Sequence, residues 1–295
     1  MTRWKIGERA LLTVFGSGFL FLAAAPSWAG GPETQEQHFP VKNRPVVVLQ
    51  NIVNGRIEVK SWKNSEVVVS STYSPSKVEV DIEQAGDRID ISSSALTDSS
   101  DPHDSEANFQ LTVPEQTELQ LKTQTGLILV EQVSGDMKLQ SFAGDVHLKE
   151  VSGYIIVRTS GGSLVCTLCS GKLEFTSISG HAQILQPSLT NVNLMTTTGN
   201  ITYDGDFLRT GIYTMNSGKG LVEVRFSGSD SFDLKAETIH GTVDNQAAEF
   251  MKPDTHSSHH NKSKFTNSLF GTVGQGLAKV ELSSYSGTIR ILKRN

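Results

Sequence analysis

The sequence predicts an all-β fold, a single-domain β-solenoid in which half-coils of about nine residues stack into a long core. Glycine recurs every nine residues through the middle of the chain, and apolar residues recur two, four and seven positions after the glycines. No helical periodicity interrupts this pattern after residue 29. The periodic glycines are Gly126, Gly135, Gly144, Gly153, Gly162, Gly171 and Gly180.

Each nine-residue unit is interpreted as one strand and one bend. Apolar residues two positions apart, such as Ile128 and Val130, lie on the same face of a strand. The third apolar residue, Val133, would lie on the opposite face of a straight strand, so we expect the chain to bend before it. Glycine suits such a bend because it allows positive φ angles and close backbone approach. Nine residues are too few to surround a core, so two units form one coil.

The later glycines predict coils of 18–19 residues. Gly180, Gly199 and Gly218 are separated by 19 residues each, and Gly241 and Gly287 are interpreted as further turn glycines. In the first of these intervals, Thr190 stands at the bend where earlier units have glycine. The last strand, within 288–292, is expected to cap the stack.

Residues 1–29 have the features of a secretory signal peptide. Basic Arg3, Lys5 and Arg9 precede an apolar core, and Ser27 and Ala29 supply the small residues of a cleavage site. An uncleaved anchor is the alternative, although the core is shorter than the roughly 20 residues of a membrane span. We therefore expect export to the periplasm, cell surface or exterior, with no integral membrane segment after cleavage.

Cleavage would also change the charge of the chain. It removes three basic residues and one acidic residue, which makes the net charge of −5 more negative. A negative chain disfavours nucleic acid and anionic membrane as partners.

The rest of the chain is predicted to form one domain. Residues 30–45 contain three prolines and are interpreted as an extended linker. The strands of 46–121 are expected to continue into the glycine repeat as one stack within a domain of 46–295. Residues 244–268 lose the repeat and predict a long loop.

Cys166 and Cys169 are the only cysteines, and they occupy the apolar positions four and seven after Gly162. This placement favours buried core residues, with or without a disulfide across the bend. The alternative is a redox pair, which needs a helix N-terminus or a cation to lower the pKa of a thiol. The pattern supplies neither.

The sequence predicts no catalytic, cofactor or metal site. It lacks the nucleophile-elbow, zincin and P-loop motifs. The outward positions of the repeat show no recurring acid pair of the kind that glycosidases use, being Lys138, Gln140, His147, Lys149, Arg158, Thr167, Glu174 and Thr176. Two polar clusters are interpreted as solvated loops rather than metal sites, namely His256, His259 and His260, and Asp98, Asp101, Asp104 and Glu106 with His103.

Three segments share the order apolar, small, glycine, polar, apolar, namely Val133–Met137, Phe142–Val146 and Ile178–Ala182. They resemble a bacterial "putative adhesin" domain family of unknown function, over roughly residues 46–295. The resemblance implies a non-enzymatic binding module of the cell envelope, because the family has no catalytic motif to transfer. A surface glycan or an envelope protein would be the partner. The alternatives are an envelope-stress sensing domain that binds a membrane signalling protein and, third, a polysaccharide-active enzyme.

Overall fold

A computed structural model describes residues 31–96, 105–253 and 267–294. Gly31–Asn295 form one compact unit. The segment predicted as a signal peptide lies outside the described residues. No helix within the described ranges is long and apolar enough to cross a membrane.

The described chain forms two long sheets. In spatial order, sheet A contains β1 (Glu33–Pro40), β4 (Glu66–Tyr73), β7 (Ala107–Pro114), β3 (Ile57–Trp62), β9 (Ile128–Glu131), β11 (Val146–Lys149), β13 (Leu164–Thr167), β15 (Ala182–Leu185), β17 (Ile201–Asp204), β19 (Val222–Phe226), β25 (Thr288–Lys293) and β21 (Thr242–Asn245). Sheet B contains β22 (Met251–Pro253), β23 (Asn267–Val273), β20 (Phe232–Thr238), β24 (Ala278–Ser284), β18 (Ile212–Ser217), β16 (Ser188–Thr196), β14 (Ser170–Ser177), β12 (Ser152–Thr159), β10 (Met137–Ser141), β8 (Glu118–Thr123), β2 (Val46–Asn51), β6 (Arg88–Ala95) and β5 (Val78–Ala85).

Each coil contributes one strand to each sheet, and neighbouring coils pair in parallel. Met137 of β10 aligns with Ile155 of β12, and Val146 of β11 aligns with Leu164 of β13. Side chains of the two inner faces form one continuous core. The predicted all-β solenoid built from paired half-coils is therefore confirmed.

The coils from β8–β9 to β18–β19 stack in chain order, but those near the two ends do not. The β2–β3 coil lies between β6–β7 and β8–β9, and the β24–β25 coil lies between β18–β19 and β20–β21. The expectation that the last strand caps the stack is wrong. Ile289 and Ile291 of β25 are buried, so this strand needs a neighbour on each side, whereas β21 at the edge is only partly buried.

Antiparallel strands complete both ends of the stack. At one end β1 pairs with β4 and β4 with β7, while β5 pairs with β6. At the other end β23 pairs with both β20 and β22. The linker predicted at 30–45 is thus partly wrong, because 33–40 form an edge strand whose exposed polar side chains suit an open sheet edge.

The loop predicted at 244–268 is also corrected at both of its ends. Strand β21 continues to Asn245, a short 3-10 helix spans Ala248–Phe250, and strand β22 follows it. Strand β23 begins at Asn267. Residues 254–266 lie outside the described residues.

A β-bulge explains the first 19-residue interval. The pairing between β14 and β16 shifts after Gly171, which aligns with Leu189, while Lys172 aligns with Asn191. Thr190 is therefore the extra residue of a bulge rather than the substitute for a corner glycine. Its hydroxyl donates to the Gly171 carbonyl at 3.1 Å.

The two bends of each coil differ, which the uniform repeat did not predict. Val133, Val151 and Cys169 at the bend from sheet A to sheet B are buried as expected. Phe142 and Ile178 at the bend from sheet B to sheet A are exposed, so the expectation of a third buried apolar residue is wrong there.

A buried hydroxyl replaces the apolar residue at the bend from sheet B to sheet A. Ser177 Oγ accepts the Gly180 N–H at 2.8 Å, and Ser141 Oγ accepts the Gly144 N–H at 2.7 Å. We call this arrangement the hydroxyl–glycine corner. It recurs at Thr196 with Gly199, Ser217 with Gly220, Thr238 with Gly241, and Ser284 with Gly287.

The glycines of these corners touch the backbone of the next coil. A Cβ on Gly144 would lie 1.6 Å from the Gly126 carbonyl oxygen, so no side chain fits. In spatial order the column contains Gly55, Gly126, Gly144, Gly162, Gly180, Gly199, Gly220, Gly287 and Gly241. Gly220 takes the place that the 19-residue spacing assigned to Gly218, which lies beside Thr197 instead. A second, shorter column at the other bend contains Gly135, Gly153 and Gly171.

We predict that Gly144→Ala lowers the free energy of unfolding by at least about 3 kcal/mol, because the methyl group would push two coils apart. Gly161→Ala is the matched control. A Cβ there would meet only the Ser179 hydroxyl oxygen, at 3.8 Å. Chemical denaturation of both variants tests this, and equal stabilities would contradict it.

Candidate binding surface on sheet B

The predicted outward residues lie on two different faces of the solenoid. The strands of sheet A carry His147, Lys149 and Thr167, whereas the strands of sheet B carry Lys138, Gln140, Arg158, Glu174 and Thr176. They therefore do not form one mixed surface, and each face has its own chemistry.

Charges near the β25 end of sheet A are paired with one another. Glu223, which is buried, bonds to Arg225 at 2.7 Å and to Arg290 at 3.2 Å. Arg290 also reaches Asp244 at 3.2 Å, and its bonds to Asp244 and Glu223 raise its pKa. These charges already have partners, so this part of sheet A offers few free groups to a ligand.

The outer face of sheet B over β14, β16 and β18 is rich in uncharged polar groups. We call it the amide face, formed by Thr176, Asn191, Asn193, Thr214 and Asn216. Asn216 Nδ2 donates to Ser283 Oγ at 2.8 Å. Within the described ranges, the Asn191 and Asn193 amides have no hydrogen-bond partner and remain free to bind a ligand.

A groove of 570 Å³ lies where β12, β14 and β16 begin. Gly153 of β12 and Gly171 of β14 leave space because they have no side chains, and the bulge at Thr190 displaces β16. The residues that line the groove are Gly153, Tyr154, Gly171, Lys172, Leu173, Glu174, Thr190 and Asn191.

Tyr154 is the aromatic side chain of the groove and is 39% exposed. Its hydroxyl donates to Glu174 Oε1 at 2.5 Å, and this hydrogen bond is the main reason that the Tyr154 pKa is raised. The bond joins β12 to β14 and restricts the ring. The groove thus combines a held aromatic ring with amide, hydroxyl and ammonium groups, a combination that can stack on and hydrogen-bond to a hydroxyl-rich ligand.

Tyr154, Asn191 and Asn193 were not singled out from the sequence. The alternation of Asn191, Val192, Asn193 and Leu194 marks an amide row on the outer side of a strand. The groove itself could not be read in the same way, because it depends on the bulge.

Cys166 and Cys169 form a disulfide and are both fully buried. The bond spans Leu168, whose φ of 57° lies in the left-handed region, as do those of Gln132, Glu150 and Gln186 at the same bend. The pair closes one bend of the core and lies outside the groove.

The structure describes only one residue of the two polar clusters, Glu106. His256, His259, His260, Asp98, Asp101, His103 and Asp104 lie outside the described residues. Glu106, which is described, accepts a hydrogen bond from Asn108 Nδ2 at 2.7 Å.

Asp230 is a buried carboxylate outside the groove that the sequence did not reveal. It joins two loops by accepting the Ser227 N–H at 3.1 Å and the Phe207 N–H at 3.3 Å. Burial, together with nearby Asp206, raises its pKa to about 6 from 3.8. The folded state therefore binds this proton more tightly than the unfolded chain does.

Because the folded-state pKa is raised, the proton on Asp230 stabilises the fold fully below about pH 4, and this contribution disappears as pH rises through about 6. We predict that the free energy of unfolding of the wild type, relative to Asp230→Asn, falls by about 1–3 kcal/mol between pH 4 and pH 7. Urea denaturation across this range measures the difference. A difference that does not change with pH would contradict the assignment.

Residues 51–292 match the family described as Toastrack DUF4097. No curated protein matches the chain.

Three solved structures show a distant likeness. A "putative adhesin" from Bacteroides fragilis has 10% identity and a TM-score of 0.40, and the match covers 88% of this chain and 97% of that one. A "putative cell adhesion protein" from Clostridium sporogenes has 12% identity and a TM-score of 0.29, with coverage of 89% and 100%. A "putative lipid binding protein" from Parabacteroides distasonis has 12% identity and a TM-score of 0.30, with coverage of 90% and 98%. Values this low say nothing about what this chain binds.

Proposed function

We propose that this chain, which belongs to the Toastrack DUF4097 family, is a non-enzymatic, adhesin-like binding module of the cell envelope that holds an uncharged surface glycan on its amide face. The observation that carries this proposal is the groove, where Tyr154 and the unpartnered amide of Asn191 line one surface, two strands apart with Lys172 between them.

The groups of the groove and the amide face match the needs of a polyhydroxyl ligand. Each asparagine amide offers two donors and one acceptor, so it can serve a hydroxyl in either role. The Tyr154 ring offers an apolar face against which the C–H surface of a sugar ring can pack. The five residues of the amide face carry no formal charge, and the charged residues beside them on β14, Lys172 and Glu174, have opposite signs, which favours a neutral ligand over a charged one.

The spacing of the strands supports an extended ligand. Neighbouring coils place their side chains about 4.8 Å apart, so the same chemistry is offered along the stack. Tyr154, Lys172 and Asn191 follow one another on adjacent strands in aligned positions. A chain of sugar units lying across the strands would meet these groups in turn.

The arrangement of the groove supports binding rather than glycoside cleavage. Glu174 is the carboxylate among the groove-lining residues, and Tyr154 already donates to it. Glycoside hydrolysis uses two carboxyl groups about 5–10 Å apart on either side of the bond.

We predict that Tyr154→Ala and Asn191→Ala each weaken glycan binding by about tenfold, because each removes one contact worth about 1 kcal/mol or more. A glycan array identifies the ligand, and calorimetry with that ligand measures the affinities. Tyr285→Ala is the matched control, since Tyr285 is also exposed but lies outside the groove.

Equal losses from Tyr154→Ala and Tyr285→Ala would contradict the proposed site. Absence of any glycan ligand, together with specific recovery of a membrane signalling protein in a pull-down, would overturn the proposed function in favour of sensing.

A further inference from the structure

Large apolar side chains are exposed in single file along one bend of the solenoid. We call them the corner ridge, formed by Ile52, Phe142, Ile178 and Tyr285. Their exposed fractions are 48%, 66%, 61% and 54%. Nine large apolar side chains are exposed among the described residues, and the alignment of four of them along one bend calls for an explanation.

The hydroxyl–glycine corner places these residues outside the core. The backbone stacks through this bend, with the Ser160 N–H donating to the Phe142 carbonyl at 3.1 Å and the Ile178 N–H donating to the Ser160 carbonyl at 3.2 Å. Because Ser141 and Ser177 fill the buried position, the next residue of each coil is exposed. Further along the same bend, the Tyr285 N–H donates to the Gly218 carbonyl at 3.2 Å.

The ridge residues alternate with smaller or polar residues. Gln124, Ser160, Thr197 and Gly218 occupy the same bend on the intervening coils. Ile52, Phe142 and Ile178 are each two coils apart, which is about 10 Å at the usual strand spacing. The ridge is therefore a row of separate apolar points on a convex edge rather than a flat patch.

Cations flank the ridge on the intervening coils. Lys122, Arg158 and Lys219 are exposed and, in the part of the chain that the structure describes, have no ion-pair partner. Six arginines elsewhere do have such partners, namely Arg44, Arg56, Arg88, Arg225, Arg290 and Arg294.

The carboxylates beside the ridge are already engaged. Asp145 Oδ1 accepts the Ser163 N–H at 2.7 Å, and Glu237 pairs with Lys235 at 3.2 Å. The hydrogen bond leaves the charge of Asp145 in place, but the three unpaired cations outnumber it, so this edge is locally basic although the whole chain is negative. The negative net charge of the whole chain disfavours an anionic membrane as a partner, but the local charge beside the ridge does not.

We propose that the corner ridge rests on an anionic lipid surface, with its apolar side chains in the boundary between headgroups and acyl chains and its cations at the phosphates. A convex row of separate points suits a fluid lipid surface, whereas a protein partner would need a pocket every 10 Å or so. Apolar residues with flanking Lys and Arg provide the two contributions that interfacial binding needs. The groove lies on the face of sheet B rather than at the bend, so a ligand could occupy it at the same time.

Vesicle co-sedimentation tests the proposal. The protein Gly31–Asn295, which forms a compact unit, is mixed with vesicles of phosphatidylglycerol and phosphatidylcholine and, separately, of phosphatidylcholine alone. We expect the double variant Phe142→Ser, Ile178→Ser to reduce the partition coefficient at least tenfold. We expect Lys122→Gln and Arg158→Gln each to reduce it about fivefold on the anionic vesicles only.

Leu168→Asn is the matched control, because Leu168 is an exposed apolar residue on the opposite bend and asparagine tolerates its backbone conformation. It should leave partitioning unchanged, and all variants should keep the thermal transition and glycan affinity of the wild type. A partition coefficient that the ridge variants do not change, or that Leu168→Asn lowers equally, would overturn the proposal. Sedimentation showing a dimer that the ridge variants dissociate would also overturn it, by identifying a second copy as the occupant.

Discussion

The hydroxyl–glycine corner is the interaction on which the stacking of this solenoid depends. A Ser or Thr hydroxyl at the end of a sheet B strand is buried and accepts the N–H of the glycine three residues later. The turn must be tight for this bond to form, and in a tight turn the glycine lies against the carbonyl of the neighbouring coil. An unsatisfied buried N–H would cost about 1–3 kcal/mol, and a Cβ would separate the coils, so both halves stabilise the stack at these corners. At Gly162 the Thr159 hydroxyl donates to the glycine carbonyl instead.

This corner also makes the two edges of the solenoid different. At the bend from sheet B to sheet A the hydroxyl fills the buried position, and Phe142 and Ile178 are exposed. At the opposite bend, residues such as Gln186 adopt a left-handed conformation, and the third apolar residue or the disulfide fills the interior. The exposed ridge is thus a consequence of how the core is closed. The two faces differ as well, since the charges near the β25 end of sheet A pair with one another whereas the amide face leaves Asn191 and Asn193 free.

The parts of this fold that could be predicted from the sequence are those set by local period. Nine-residue spacing and apolar pairs such as Met137 and Leu139 determine the strands, the parallel pairing of neighbouring coils and the rows of the core. The order of coils at the ends could not be predicted, because insertion of β24–β25 depends on contacts between residues far apart in the chain. Gly220 rather than Gly218 occupies the glycine column because its N–H donates to the Ser217 hydroxyl. The spacing of hydroxyl and glycine, three residues apart, can be recognised in the sequence only once the corner is known. The groove was missed because the extra residue, Thr190, lengthens one interval to 19 residues, and the length of the interval does not show where in it the bulge lies.

The stability of Ser177 variants tests the role of the corner most directly. Ser177 Oγ lies 2.8 Å from the Gly180 nitrogen and 2.9 Å from the Thr159 hydroxyl oxygen. If the corner holds the stack together, Ser177→Ala lowers the free energy of unfolding by about 1–3 kcal/mol, whereas Ser177→Thr, which matches the corner residue Thr196, stays within about 1 kcal/mol of the wild type. An alanine variant as stable as the wild type, or a threonine variant as unstable as the alanine variant, would contradict this account.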